Sequence, residues 1–423
     1  MNYKSPDNSL WIAAIISLLF TLFVFWISDL SVSLSSEKML FKQFEKIKKE
    51  ISINKSNEEY PLDSVILVDT HYNQTFVEEW DDSLKYVNGL VPVTDHKLLY
   101  KLLTKLHDKD DYRYIMLDIS LDKHIKQQED SSLYKLISSM PRIVIGESNN
   151  EVADTCLVSK AGSVGYDITL WETDFTKYIY RNNEKESMAL KMYKEINKDI
   201  GQMQKQSFID KIGKKNSVFL TLDYYIPKAE YKDFTIRLED IDEIIDDSKH
   251  KYILIGDFED DLHSTYLGAQ PGIMINYNAY LMLQKGHHKI SISMFFLIFI
   301  SFYILVYLTI VQTKYTWLFM WIGYPVYLIL ICFFVFLLYN QVYDILVSTT
   351  LFYSLKSVVE INRERILIKK RIAMLAHTVK CICQGCYSKF KKIICFSTKT
   401  IISIYQTLTV LIIKIWQRLK KTN

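Results

Sequence analysis

The sequence predicts an α/β domain with a mixed or largely parallel sheet, framed by four α-helical transmembrane segments, one before the domain and three after it. Two observations carry this expectation. The first is the uneven placement of four apolar blocks, Leu10–Ile27, Ile290–Val311, Trp317–Tyr339 and Val342–Ile361. The hydrocarbon core of a bilayer is about 30 Å thick and needs roughly 20 apolar residues of helix. The first three blocks reach that length with no charged residue inside. The second observation is the alternation of short β-branched runs with helical apolar stripes between the first block and the second. That alternation is the pattern of βαβ units with helices packed on a sheet.

In chain order the expected organisation is a short N-terminus over 1–9, a membrane helix over 10–30 and a folded domain over 31–289. Membrane helices follow over 290–311, 317–339 and 342–361, then a basic tail over 362–423. The first apolar run is longer than the 7–15 residues usual for a signal peptide, and no small-residue cleavage site follows it, so it reads as a retained anchor. Residues 37–51 continue from that anchor as an amphipathic helix, with Leu40, Phe44, Ile47 and Ile51 on one face. Strands are expected at Ser64–Val68, Tyr114–Leu117, Arg142–Ile145, Val218–Leu222 and Tyr252–Ile255. Helices are expected at Leu98–Leu106, Leu133–Ile137, Met188–Ile196 and Gly272–Leu283. The fourth apolar block holds Asp344 and Lys356. Either it spans, with Asp344 and Lys356 reaching the interfaces and Glu360 at its last turn, or it lies on the surface as an amphipathic helix.

Charge sets the expected orientation. Residues 362–423 carry fourteen Lys and Arg and a single acid, Glu364. Basic residues near membrane helices stay in the cytoplasm. The tail is therefore expected inside, and counting crossings puts 31–289 outside and Met1 inside. The outer segment is acidic, with 43 Asp and Glu against 34 Lys and Arg over 30–289. The tail is expected to meet anionic membrane lipids. Nucleic acid is not an expected partner, since no zinc-finger spacing or RNA-binding signature accompanies the basic charge.

Chemistry-bearing residues are few. Asp69, Asp118 and Asp257 each follow a predicted strand. In open α/β sheets ligands bind beyond the carboxyl ends of strands. If the three strands are neighbours, these carboxylates could converge on a cation or on a ligand's amine or hydroxyls; otherwise they cap the turns that follow. Gly256 is expected to permit a tight turn, and Pro271 with Gly272 to start a helix. Cys156 stands alone in the outer domain, which excludes an internal disulfide there. Cys381, Cys383, Cys386 and Cys395 could offer thiolates to a metal, but their C-x-C-x-x-C spacing is not a usual zinc pattern, and no cofactor is expected. His287 and His288 read as a solvated pair at the membrane boundary. No nucleophile elbow or Cys–His pairing is present in the sequence, so no enzyme is expected. The last segment, Ile394 to Trp416, has apolar spacing that fits an in-plane helix, a coiled coil or a fifth span.

One stretch resembles a known family. Lys-Tyr-Ile-Leu-Ile-Gly-Asp at 251–257, Asp261, and Leu-Gly-Ala-Gln-Pro-Gly-Ile-Met-Ile-Asn-Tyr-Asn-Ala-Tyr-Leu-Met-Leu at 267–283 are similar to the closing segment of the type 2 CHASE family of bacterial extracellular sensory domains. Val65–Asp69, Pro92, Met116-Leu117-Asp118, Asp174, Arg181 and Ser187–Leu190 resemble its earlier parts. This sequence departs from the family at Val91, at Asp95-His96 and at Ile275-Asn276-Tyr277-Asn278. The resemblance implies a periplasmic domain on a multi-pass protein of the bacterial inner membrane, with both termini cytoplasmic. It implies a sensor that detects an unknown periplasmic ligand or protein and relays the signal inward. Members carry a fused output domain. Here the segment after Ile361 is short for one, so a separate cytoplasmic effector is expected to dock on 362–423. A homo-oligomer is expected by analogy. The alternative is a structural or assembly protein that binds envelope components.

Overall fold

The computed structural model describes residues 6–28, 35–53, 62–81, 86–121, 127–147, 154–165, 176–182, 185–197, 216–222, 224–226, 230–311 and 323–339. The expected helix at 342–361 and the tail at 362–423, with Cys381, Cys383, Cys386 and Cys395, lie outside the described residues.

A six-stranded sheet forms the centre of the domain. Its strands are β1 (Val65–Asp69), β4 (Tyr114–Asp118), β5 (Ile143–Glu147), β6 (Ala161–Ser163), β11 (Thr235–Arg237) and β12 (Tyr252–Gly256). They lie in the order β11-β1-β12-β4-β5-β6, and every pairing is parallel. Strands buried on both faces read as continuous apolar runs rather than as alternating ones. Val-Ile-Leu-Val in β1, Tyr-Ile-Met-Leu in β4 and Tyr-Ile-Leu-Ile in β12 are such runs, each buried throughout.

Helices cover both faces. On one lie α3 (His96–Lys109), α4 (Asp130–Ser139) and α6 (Ile241–Asp247), packing Leu99, Leu103, Leu133, Ile137 and Ile244 against Ile66, Val68, Ile115, Ile253 and Ile255. On the other lie α5 (Met188–Ile196) and α7 (Gly272–Gln284), with Met188, Met192, Ile273 and Tyr277 against Leu67, Met116 and Leu254. Helix α3 begins where the Asp95 carboxylate accepts hydrogen bonds from the amides of Lys97 and Leu98, and it stops at Asp110 in the left-handed region. Replacing Asp95 with alanine removes that cap and is expected to lower stability by about 1 kcal/mol in thermal unfolding. Gly162 in β6 lies where a β-carbon would come within 2.6 Å of the Met188 amide nitrogen. Gly162→Ala is therefore expected to push α5 off the sheet edge and to cost about 1–3 kcal/mol in denaturant unfolding.

Short ribbons decorate the sheet. Strands β2 (Gln74–Asp81) and β3 (Tyr86–Thr94) form an antiparallel hairpin that the apolar pattern of the sequence does not announce. The expected strand at Val218–Leu222 is shorter, β10 (Ser217–Phe219), and pairs antiparallel with β7 (Lys177–Ile179) instead of joining the main sheet. Strands β8 (Arg181–Asn182) and β9 (Lys185–Glu186) pair antiparallel, as do β13 (Leu262–Thr265) and β14 (Gly268–Pro271).

Outside the domain, α1 (Pro6–Ser28) is the one described helix long and apolar enough to cross a membrane, over Leu10–Ser28. The other apolar helices, α8 (Ile292–Val311) and α9 (Tyr324–Tyr339), contain shorter apolar stretches, Ile292–Leu308 and Ile329–Leu338. Helices α1 and α8 lie antiparallel, with Phe25 stacked on Phe295 and Phe20 on Phe302. The amphipathic α2 (Ser35–Ile53) bridges the parts: Phe41 stacks on Phe219 of β10, and Phe44 meets Phe333 and Phe336 of α9. At the lower edge of the domain His288 is buried, edge-on to Tyr180 and Tyr193, so the solvated pair expected from the sequence is corrected for this residue. Its ring fills the gap between two aromatic side chains of the domain.

Candidate functional site

Parallel pairing aligns the carboxyl ends of three neighbouring strands. Asp69 of β1 is in register with Gly256 of β12, and Gly256 with Asp118 of β4. The three aspartates expected at strand ends thus come to one edge, but they do different things there. Asp69 is buried, and its Oδ1 accepts from the amides of His71 and Phe258 at 3.0 and 3.2 Å. It ties the loop after β1 to the loop after β12. Burial, partly offset by those two amides, holds its carboxyl above the usual value. Asp257 Oδ1 accepts from the amides of Glu259 and Asp260 at 2.8 and 2.9 Å, while Oδ2 lies 3.4 Å from His71 Nδ1. These two side chains act as turn caps.

Asp118 is different. It lies in a cavity of about 410 Å³ at the carboxyl end of the sheet, lined also by Thr70, Thr94, Glu147, Asp257, Asp261 and His263. The volume falls in the range of small-molecule sites. Asp118 Oδ2 accepts from Asn276 Nδ2 at 3.1 Å. Its Oδ1 accepts no hydrogen bond among the described residues, and a β-carbon on Gly146 would approach it to 2.7 Å. Burial pushes the Asp118 carboxyl up to about 7, and the charge of Asp261 adds to the rise. Asn276 and His263 oppose it. No described residue lining the cavity is Lys or Arg, and Glu147 is bound from outside by Lys185 at 2.7 Å. The cavity therefore favours a cationic or proton-donating guest over an anion.

The glycine and proline expected as turn residues have specific places. Gly256 does not adopt a positive φ. What it supplies is room, since a β-carbon there would lie 3.2 Å from Ile273 and 3.3 Å from the Asp118 carbonyl oxygen. The expected tight turn is corrected to a close approach of α7 to the sheet. Pro271 ends β14 and precedes α7 in an extended conformation, and the Gly272 amide donates to the Asp261 carbonyl at 3.1 Å. That bond fixes the cavity rim to the start of α7.

Two site residues, Asn276 and Asn278, are missed by an inspection of strand ends alone. The signal that could have found them is their placement, fully buried in an otherwise apolar helix. Buried amides need partners. Asn278 bonds both backbone groups of Tyr224, at 2.9 and 3.0 Å. Asn276 joins Asp118 to the hydroxyl of Tyr178, which donates to Asn276 Oδ1 at 2.6 Å.

For a metal, the described residues bring together one imidazole and two carboxylates, His71, Asp257 and Asp260, with ligand atoms within 4.8 Å of one another. His71 Nδ1 lies 3.4 and 3.5 Å from the two carboxylates, and Asp257 already holds two amides. The set is complete without an ion. No protein-family model, curated protein or solved structure matches the chain.

Proposed function

We propose that the chain is a multi-pass sensor of the bacterial inner membrane, with the α/β domain in the periplasm and both termini in the cytoplasm. Residues 290–311, 317–339 and 342–361 are its further spans, and 362–423 meets anionic lipids and docks a separate effector. The similarity of 251–283 to the type 2 CHASE family agrees with this reading, and it gives no reason to assign catalysis. One observation carries the proposal. The cavity sits in a domain that is tethered at both ends to apolar helices, α1 and α8, which pack against each other. A ligand that prefers one packing of the domain on that pair would shift the population of the two states.

Reporter fusions test the geography. A fusion at residue 165 and another at 423 are expected to report opposite compartments, and the same compartment for both sinks the reading. Truncation after residue 361 is expected to leave insertion and domain folding intact while abolishing output and effector co-purification. Output that survives the truncation removes the docking claim. The alternative, an assembly protein binding envelope components, draws support from the β2–β3 hairpin, where Phe76 and Leu90 are 71% and 65% exposed. A set of exclusively periplasmic partners would favour it.

A further inference from the structure

A buried polar chain runs from the cavity floor to the helix that leaves the membrane anchor. It starts at Asp118 Oδ2, which takes the Asn276 amide at 3.1 Å. Asn276 Oδ1 accepts the Tyr178 hydroxyl at 2.6 Å. Tyr178 sits in β7, where neighbouring side chains point to opposite faces. The next residue back, Lys177, therefore points away from the cavity. Its ammonium donates to Glu37 Oε2 of α2 at 3.0 Å and to the Ser28 carbonyl at the end of α1 at 3.4 Å. Asn276, Tyr178, Lys177 and Glu37 are all buried. A single short strand thus carries both the side chain that reads the cavity and the side chain that grips the membrane-proximal helices.

We propose that the cavity reads the proton, which binds at Asp118, and that the change in the Asp118 hydrogen bond reaches α2 through the side chains of Asn276, Tyr178, Lys177 and Glu37. The proposal rests on the sensory reading and names one signal for it. The groups facing Asp118 come from every element around it. Asp261 and His263 come from the β13–β14 hairpin and the turn before it, Asp257 from the end of β12, and Glu147 with its partner Lys185 from the end of β5. Asn276 comes from α7, and Tyr178 feels the Asp118 charge from β7. Asp118 lines the cavity, and no cationic side chain is bonded to it among the described residues. Burial and the charge of Asp261 push its carboxyl up to about 7. When ionised, Asp118 holds the Asn276 amide by a charge-assisted bond, about twice as strong as a neutral one. Protonation weakens that bond and leaves the amide held by the Gly272 carbonyl alone, at 3.2 Å. The acceptor of the Tyr178 hydroxyl loosens with it, and β7 shifts with Lys177 on it.

Amide hydrogen exchange on the full-length protein in lipid nanodiscs between pH 5.5 and 8.5, corrected for the chemical exchange rate, tests this. Peptides of α2 are expected to exchange ~5-fold or more faster at the acid end, the scale of an ordinary coupling between sites. Peptides of α3, on the opposite face of the sheet, report the global change of stability with pH, and the α2 response is read relative to them. Asp118→Asn and Tyr178→Phe are each expected to flatten the α2 response. Asp261→Asn, at a half-exposed site where folding is not at stake, is expected to move its midpoint to lower pH, because Asp261 is the charge that raises Asp118. A pH-independent α2 in the wild type, a full response in Asp118→Asn, or an unmoved midpoint in Asp261→Asn overturns Asp118 as the proton site. A full response in Tyr178→Phe overturns the route. These outcomes leave the fusion and truncation results standing, so failure of the proton proposal is distinguishable from failure of the sensory reading.

Discussion

Lys177→Met is expected to destabilise the protein by about 3–5 kcal/mol, because it removes one member of a buried ion pair. Lys177 and Glu37 are 2% and 0% exposed at their side chains, with Nζ 3.0 Å from Oε2. The ammonium also lies 4.9 Å from the centre of the Phe219 ring. Moving two charges out of water is costly, and their mutual attraction offsets that cost only while both are present. Removing the lysine takes the Lys177 ammonium away from a carboxylate that stays buried. The same argument predicts that Lys177→Met combined with Glu37→Leu recovers most of the loss, since apolar side chains of similar volume often replace a buried pair without penalty. Thermal unfolding of the detergent-solubilised protein, followed by circular dichroism, reads both. A double variant as unstable as the single one would mean that packing, and not the missing charge, sets the cost.

Asp118→Asn is expected to remove a fall in stability that the wild type shows between about pH 4 and pH 7. The Asp118 carboxyl titrates near 7 in the folded chain, above its ordinary value of 3.8, because burial disfavours its charge. Between those values the folded state holds a proton that the unfolded state has lost. Stability therefore decreases as pH rises through the window, and this group contributes no further change above it. A full shift would correspond to about 4 kcal/mol, and the partial exposure of Asp118 reduces that, so the expected loss is about 2–4 kcal/mol. At pH 8 the asparagine variant should exceed the wild type by this amount, and at pH 4 the two should agree. Denaturant midpoints at the two pH values measure it. Parallel pH profiles for wild type and variant would show that Asp118 is ionised in the folded chain without cost.

The main sheet was legible because its strands announce themselves locally. The runs at Val65, Tyr114 and Tyr252 are too short for helices and too apolar for loops, and each becomes a strand buried on both faces. The stripe of Leu99, Leu102, Leu103 and Leu106 has helical spacing and becomes the buried face of α3. The β2–β3 hairpin was not legible. Its strands show no clear alternation of apolar and polar residues, and Phe76 and Leu90 face solvent, so the period that marks a half-buried strand is absent. The site was half legible. A carboxylate at the end of a strand is visible in sequence, but whether it caps a turn or faces a cavity depends on amides from another loop. Phe258 supplies one to Asp69, 189 positions away.

By itself the sequence determined the α/β class, the apolar α1, the boundaries of most central elements and the opposite charges of residues 30–289 and 362–423. All of these follow from periodicity and composition, which are local properties. Only the tertiary structure decided that β12 enters between β1 and β4, which places Asp69, Gly256 and Asp118 side by side. Only it joined Asn276 to Asp118 across 158 positions and Lys177 to Glu37 across 140. Such pairings arise from strand order and from the need of each buried polar group for a partner, and neither leaves a repeating mark along the chain.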